Sequence, residues 1–297
     1  MSEHHHHDLS GRNLLIAILL NILITLAQII GGILSGSLAL LSDALHNFSD
    51  ILSLLITYGA NRMAQRKSSP KHTFGYKRAE IIATLFNASA LLGIGLYIIF
   101  EALTRLMAAP EPIDSQWVIW LGLLGVAVNG GSILLLHSDA KENMNIKAAY
   151  LHLLGDVLTS VAVVIGGLLM HFWEIYWVDP VISMMIALYL MAASFGLVKE
   201  STAILMQFAP GKIDIEEIVK TITKYPQIDN VHHIHLWNLD DHRIHFEAHL
   251  DFRENVTLQK SNELIDTLEK ELYEHYDIGH TTFQCEYHRN DNKSVIV

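Results

Sequence analysis

Six long apolar runs fill the first two thirds of the chain. Each is close to the roughly 20 residues that a helix needs to cross a bilayer. The first run is too long, and too soon followed by the next, to be a cleaved signal peptide. The pattern predicts an all-α transmembrane domain over residues 13–200, with six spans near 13–34, 38–60, 81–107, 117–137, 148–171 and 177–198.

Basic residues are distributed unevenly among the linkers between these runs. Lys and Arg occur in linkers 61–78 and 138–147, whereas linkers 35–37, 108–116 and 172–176 contain none. Because cytoplasmic loops collect Lys and Arg, the distribution predicts that both termini and the two basic linkers are cytoplasmic.

In the last third of the chain, apolar residues no longer form long runs but recur in short segments with the period of a helix or a strand. In residues 243–252, apolar Phe246, Ala248 and Leu250 alternate with His245 and His249, which is typical of a strand with one buried face. The order αββαβ predicts a two-layer α+β domain over 208–290, with both helices on one sheet face and a His- and Glu-rich face free for a metal or partner. The predicted helices are 214–224 and 257–276, and the predicted strands are 231–239, 243–252 and 280–288.

Two short terminal segments complete the domain plan. Residues 1–12 form a His-containing cytoplasmic tail, and residues 291–297 form a second tail. The run of four histidines near the start is either a native metal-binding tail or an engineered remnant, and the sequence leaves both open.

Composition narrows the classes of function. Charged residues make up 17% of the chain, below the roughly 25% of soluble domains. The net charge of −11 argues against nucleic acid as a partner, and the single cysteine rules out an intrachain disulfide bond. Eighteen histidines point to metal or proton chemistry.

Two predicted spans carry a histidine and an aspartate at the same spacing. His46 and Asp50 lie in the second span, and His152 and Asp156 lie in the fifth. Residues four apart share one face of a helix, and ionisable groups in a bilayer are costly enough to indicate function. One such pair could be a hydrogen bond between packed helices, but two pairs predict a tetrahedral site for Zn²⁺.

The charge of this predicted site suggests how transport is driven. Two carboxylates and two neutral imidazoles sum to −2, which matches a divalent metal ion. Metal binding requires deprotonated ligands, so protons enter when the metal leaves, which favours metal/proton antiport. Asp43 lies on the same helical stripe and is either an entry ligand or proton relay, or a capping residue near the end of the span.

Several longer motifs resemble the cation diffusion facilitator family of divalent-metal/proton antiporters, in particular its bacterial zinc exporters. They are SGSLALLSDALHNFSD, HTFGYKRAE, NIKAAYLHLLGDVLTSV, VDPVIS and VHHIHLWNL. The resemblance covers nearly the whole chain. It implies a homodimer in a bacterial inner membrane, a C-terminal domain of ferredoxin-like or metallochaperone-like shape, and efflux of zinc, and also of cadmium, by alternating access.

The resemblance also implies site residues. The transport site falls on the two His-Asp pairs. In the cytoplasmic domain, His232, His249 and Glu286 match a metal site, and His280 lies close by in the sequence. Phe283 and Cys285 stand where other members have His or Asp, so the expectation is one zinc ion or none. In the linker between spans two and three, only His72 matches a further site.

Two other functions are compatible with a zinc site. A membrane metalloenzyme would need an open coordination position and a general base, as in His-Glu-x-x-His, and the sequence contains no such motif. A membrane-anchored zinc sensor would not need six spans with buried ligands. The identity of the metal beyond the ligand argument, the proton stoichiometry and the role of cytoplasmic zinc stay open.

Overall fold

The computed structural model describes residues 4–109, 112–136, 144–241 and 243–296. Within its helices, the side chains of some residues fall outside this description: 4–17, 54, 57, 61, 135–136, 144–149 and 151–152. The chain divides into two compact units. One combines Met1–Tyr58 with Phe86–Val198, and the other combines Gly59–Leu85 with Lys199–Val297.

Six long helices confirm the predicted transmembrane architecture. Each contains a stretch long and apolar enough to cross a membrane. The first helix begins at His4 instead of near residue 13, and several others extend past their predicted ends, because helical hydrogen bonding continues beyond the apolar stretch. The helices are α1 His4–Ser35, α2 Leu38–Ala64, α3 Ala79–Met107, α4 Ser115–Leu136, α5 Met144–Trp173 and α6 Val178–Leu205.

Small residues bring these helices close together. A methyl group added at Gly122 of α4 would lie 2.7 Å from the Val164 side chain of α5, and one at Gly167 would lie 2.9 Å from Ile119. Helices in lipid associate through close packing at such small residues. The α4–α5 contact is therefore a backbone-to-backbone approach that larger residues would separate.

The start of α2 is capped by an aspartate from α6. The N–H groups of Leu38 and Ala39 donate to the buried Asp179 carboxylate at 2.8 and 3.2 Å. The Ser37 hydroxyl also donates to Asp179, and it accepts from the N–H of Leu40 at 3.1 Å. The first N–H groups of a helix have no partner within it. Asp179 of α6 therefore supplies the acceptor at the start of α2, the helix that carries His46 and Asp50.

The C-terminal elements confirm the order αββαβ. They are α7 Ile215–Thr223, β1 Ile228–Asp240, β2 Arg243–Phe252, α8 Leu258–Tyr276 and β3 Ile278–Glu286. The sheet order is β1-β2-β3, with β1 antiparallel and β3 parallel to β2. Phe246, Ala248 and Leu250 are buried in one core with residues from both helices, as the alternation predicted.

The segment after β3 returns to the sheet. The N–H groups of His233 and Ile234 donate to the carbonyl oxygens of Ser294 and Val295, at 3.1 and 2.9 Å. The β1 strand lies at the edge of the sheet, and its register is shifted around His233, which has a φ of 53°. Edge strands offer unpaired backbone groups, so the predicted tail docks on one.

Candidate metal sites

His46 lies between two carboxylates from different helices. Its Nδ1 is 3.4 Å from Asp50 Oδ2, one turn further along α2, and its Nε2 is 3.4 Å from Asp156 Oδ1 of α5. His46 and Asp156 are buried, and Asp50 is partly buried. We call these three residues the membrane cluster. One ligand atom from each lies within 4.8 Å of the other two.

The spacing of the membrane cluster can be compared with that of a zinc site. Ligand atoms about 2.0–2.1 Å from a tetrahedral Zn²⁺ stand roughly 3.3–3.4 Å apart. Each His46–carboxylate separation is 3.4 Å, close to this value, but the two start from different ring nitrogens. An imidazole offers one metal ion only one nitrogen, so the match holds for either pair and not for all three residues at once. His152, the fourth predicted ligand, lies in α5 one turn before Asp156, but its side chain is outside the described residues.

Asp43 is fully buried where three helices meet. Its carboxylate accepts hydrogen bonds from Gln28 of α1 at 3.0 Å, and from Thr159 and Ser160 of α5 at 2.8 and 3.1 Å. Gln28 accepts in turn from Asn47 at 3.3 Å. Asp43 therefore anchors α1 and α5 to α2 within one turn of His46, and the structure does not place it as a cap of α2.

Four residues of the C-terminal domain form a second group, which we call the sheet cluster. His232, His249 and Glu286 come from β1, β2 and β3, and Asp291 comes from the returning segment. One ligand atom from each lies within 4.8 Å of the others. Glu286 is 3.0 Å from His249 Nδ1, and both Glu286 and Asp291 are 3.6 Å from His232 Nε2.

His232 is the most buried member of the sheet cluster. Its side chain has no exposed surface, and neither ring nitrogen makes a hydrogen bond within the described part of the chain. Its Nδ1 faces Asp251 at 3.4 Å, while Nε2 faces Glu286 and Asp291. A buried imidazole that faces three carboxylates and makes no hydrogen bond to them fits a metal ligand. Burial lowers the pKa of His249, which favours the neutral, ligating form.

A lysine ammonium lies among the carboxylates next to the sheet cluster. Lys293 Nζ is 2.8 Å from Asp251, 3.2 Å from Glu286 and 2.5 Å from Asp291. Partial burial lowers the pKa of Lys293, but the three carboxylates outweigh it and the net direction is upward. The hydrogen bond from Lys293 holds the pKa of Asp291 at about 2.

Sequence reasoning missed Asp291 and Lys293. Both lie in the segment predicted to be a tail, where no periodicity signals a strand. An alternation of acid and base in Asp291–Lys293 was the available signal, but it does not indicate which surface the segment contacts. Asp179 was missed for the same reason, since its partners are more than a hundred residues away in the sequence.

The remaining histidine candidates lie elsewhere. His280 is outside the sheet cluster and packs against His245, with ring centroids 4.6 Å apart. His245 also contacts Trp237 and Phe74, at 5.4 and 5.9 Å. It is buried, although the alternation of β2 predicted a free face, because linker residue Phe74 covers it. Burial, with a smaller contribution from His280, lowers the pKa of His245.

The linker histidine has only local contacts among the described residues. His72 is exposed, its Nδ1 lies 3.2 Å from the Ser69 hydroxyl, and its ring stacks on Tyr76 at 5.0 Å. It belongs to neither cluster of candidate ligands.

Comparison with known proteins identifies both parts of the chain. A family model described as the cation efflux transmembrane domain matches residues 14–206. A second, described as the cation efflux protein cytoplasmic domain, matches residues 210–288.

Relatives are similar over nearly the whole length. The chain is 35% identical to a cadmium, cobalt and zinc/H⁺-K⁺ antiporter of Bacillus velezensis, over 97% of this chain and 94% of the relative. It is 34% identical to the metal cation efflux system protein CzcD of Cupriavidus metallidurans, over 96% and 90%. It is 33% identical to the zinc transporter ZitB of Escherichia coli, again over 96% and 90%.

Proposed function

This chain belongs to the cation efflux family, and we propose that it exports divalent metal ions, zinc foremost, from the cytoplasm in exchange for protons. It is a multi-pass membrane transporter and not an enzyme. The metalloenzyme alternative is therefore set aside. One relative is named as a cadmium, cobalt and zinc/H⁺-K⁺ antiporter, and another as a metal cation efflux protein.

The observation that carries the proposal is the position of His46. Each of its ring nitrogens lies 3.4 Å from a carboxylate, one on its own helix and one on α5. We assign the transport site to this membrane cluster, completed by His152 from the turn before Asp156. Two carboxylates and two neutral imidazoles carry −2, which a divalent ion neutralises and which lipid would not tolerate without compensation.

Zinc is the preferred substrate in this proposal because of the ligand types. Imidazole suits zinc and its neighbours, whereas sites of oxygen atoms alone suit magnesium, calcium and manganese. Relatives are named for zinc, and one also for cadmium and cobalt. A set of two His and two Asp is compatible with zinc and cadmium together.

Protons are the exchanged ion for a chemical reason. The ligands must be deprotonated to hold the metal, so loss of metal on the far side favours their protonation. Asp43 is proposed as a relay, since it is buried one turn from His46 with hydroxyl groups of α5 around it. Alternating access would carry the loaded and protonated states across the membrane.

The assembly is proposed to be a homodimer in a bacterial inner membrane, with both termini in the cytoplasm. The match to the cytoplasmic domain of cation efflux proteins supports dimerisation through this domain. The sheet cluster is proposed as a second metal site with a structural or regulatory role. His232, His249 and Glu286 are its predicted ligands.

Zinc uptake into proteoliposomes with an acidic interior tests the proposed function. The intact chain should accumulate zinc while protons leave. Asp50→Asn and Asp156→Asn should each slow the initial rate at least tenfold, a loss of about 1.4 kcal/mol or more in transition-state stabilisation. Glu101→Gln is the matched control, because Glu101 is a carboxylate of α3 paired with Arg105 at 3.0 Å, outside the membrane cluster.

Each outcome of this experiment has a meaning. Undiminished uptake in both aspartate variants would refute the membrane cluster as the transport site. Zinc binding without any uptake by the intact chain would favour the sensor function. Gel filtration in detergent should show equal folding of the three variants.

A further inference from the structure

Asn129 of α4 is a buried amide that makes no hydrogen bond among the described residues. It is 1% exposed, and both its side-chain oxygen and its side-chain nitrogen lack a hydrogen-bond partner there. A carboxamide has two N–H donors and one acceptor oxygen, and an unpaired polar group inside a protein is costly. A buried amide of this kind therefore needs a reason to be retained.

Two other asparagines in the spans join neighbouring helices. Asn47 of α2 donates to Gln28 of α1 at 3.3 Å. Asn87 of α3 donates to Ser53 of α2 at 2.9 Å. Hydrogen bonds between helices are a common role for an amide in a membrane span. Asn129 makes no such bond within the described part of the chain, so helix association does not explain it.

Small residues define how α4 is aligned with α5. A methyl group added at Gly122 of α4 would lie 2.7 Å from the Val164 side chain of α5. One added at Gly125 would lie 3.0 Å from the Ser160 hydroxyl oxygen. A step forward in α4 thus corresponds to a step back in α5, so the two helices are antiparallel. The buried residues of α4 form one stripe on the helix: Val118, Leu121, Gly122, Gly125, Asn129 and Ser132.

The same alignment brings Asn129 to the level of the membrane cluster. Asn129 lies one turn after Gly125 in α4. Asp156 lies one turn before Ser160 in α5. The antiparallel alignment therefore sets Asn129 opposite Asp156, which is itself 1% exposed and faces His46 of α2 at 3.4 Å. The α4 helix thus supplies a polar neighbour to a site whose predicted ligands come from α2 and α5.

A neutral hydrogen-bond donor suits a carboxylate that binds a metal ion. Partners of this kind orient the ligand, and their loss typically weakens metal binding about 10- to 100-fold. The Asn129 carboxamide carries no charge, so it leaves the sum of −2 proposed for the four ligands unchanged. A lysine or arginine at this position would reduce that sum, and with it the attraction for a divalent ion.

We propose that Asn129 is a positioning residue of the transport site, which donates a hydrogen bond to the Asp156 carboxylate when that carboxylate holds the metal ion. The inference rests on the transport function proposed for the membrane cluster. It adds to that function a residue from a third helix, and it gives the buried amide of α4 a partner.

Zinc uptake into proteoliposomes with an acidic interior, measured over a range of zinc concentrations, tests the role of Asn129. Asn129→Leu keeps a side chain branched at the same carbon, but it removes both donors and the acceptor. Because a positioning residue acts on metal binding, the KM for zinc should rise about tenfold or more. The maximal rate should change less than twofold.

Ser132→Ala is the matched control for packing along α4. Ser132 is buried on the same stripe, but its hydroxyl already donates to the Val128 carbonyl oxygen of its own helix at 2.9 Å. The KM of Ser132→Ala should therefore equal that of the intact chain. A rise in KM as large as that of Asn129→Leu would overturn the inference, because general packing would then account for both.

Thermal unfolding in detergent checks that the variants fold. Asn129→Leu removes no hydrogen bond made among the described residues, so the unfolding midpoint should not fall. Asn129→Ala provides a second variant without the amide if the leucine side chain does not fit between the helices. An unchanged KM in the variants that fold would overturn the inference. A lower maximal rate with an unchanged KM would assign Asn129 a structural role and would overturn it equally.

Failure of the transport proposal gives a different pattern, which Asp156→Asn reveals when it is measured alongside. If the membrane cluster is not the transport site, uptake by Asp156→Asn stays undiminished, whatever the effect of Asn129→Leu. If only the role of Asn129 is wrong, Asp156→Asn slows uptake at least tenfold, while Asn129→Leu keeps the KM of the intact chain.

Discussion

At the scale of single residues, spacing in the sequence predicted the members of the membrane cluster that share a helix. His46 and Asp50 are one turn apart, so their proximity follows from helical geometry alone. The contact between His46 and Asp156 depends on how α2 packs against α5, which spacing within one helix cannot specify. Metal ligation by these residues stays a prediction.

The buried histidine of β2 makes the stability of the C-terminal domain depend on pH. Burial, together with nearby His280, holds the pKa of His245 below its usual value of about 6.5. The unfolded chain therefore binds a proton more readily than the folded domain. The stabilising effect is complete above about pH 6.5, and it is lost as the pH falls from there toward the lower folded pKa.

Hydrogen–deuterium exchange of β2 and β3 peptides, with EDTA present, measures this dependence. After correction for the intrinsic pH dependence of exchange, the protection of these backbone amides should fall between pH 7.5 and pH 5.5. His245→Gln should reduce that fall. His275→Gln, at an exposed position of α8, is the control. An equal fall in His245→Gln and in the intact chain would contradict the prediction.

At the scale of elements, periodicity located helices and strands well, but it did not reveal what holds their ends. Strand β2 was predicted with its observed bounds, 243–252, because alternation is a local property. The cap of α2 by Asp179 joins segments far apart in the chain, so no local pattern signals it. No local pattern predicts the docking of the segment after β3 either, because its partners in β1 are also far away in the sequence.

Removal of the α2 cap should destabilise the membrane domain. Asp179→Ala leaves the Leu38 and Ala39 N–H groups and the Ser37 hydroxyl without their acceptor. Loss of a capping side chain costs about 0.5–2 kcal/mol, and burial places this case at the upper end. Thermal unfolding in detergent should show a lower midpoint for Asp179→Ala, with Asp179→Asn in between.

The matched control for this substitution is Asp114→Ala. Asp114 is an exposed residue at the N-terminal end of α4, where it accepts a hydrogen bond from the Gln116 N–H at 3.2 Å. Its loss should lower the midpoint less than the loss of Asp179. A smaller effect for Asp179→Ala than for Asp114→Ala would show that the α6 carboxylate does not stabilise α2.

At the scale of the whole molecule, the uneven distribution of charge predicts orientation. Lys and Arg are concentrated in linker 61–78, and cytoplasmic loops retain such residues. The single cysteine, Cys285, is exposed in the C-terminal domain and is a ready-made reporter. It should therefore be hidden from reagents outside the cell.

Labelling with a membrane-impermeant maleimide checks this orientation. Cys285 should react in inverted membrane vesicles and not in intact cells. A cysteine placed at Asp114 in a Cys285→Ser background should show the reverse, since residue 114 lies in a linker without Lys or Arg. Labelling of Cys285 in intact cells would invert the proposed topology.

The carboxylate of Asp179 has a mechanical consequence. Because it accepts three hydrogen bonds at the start of α2, it couples the movement of α2 to that of α6. The alternating access proposed above would require α2 and α6 to move as a pair, or these hydrogen bonds to break first.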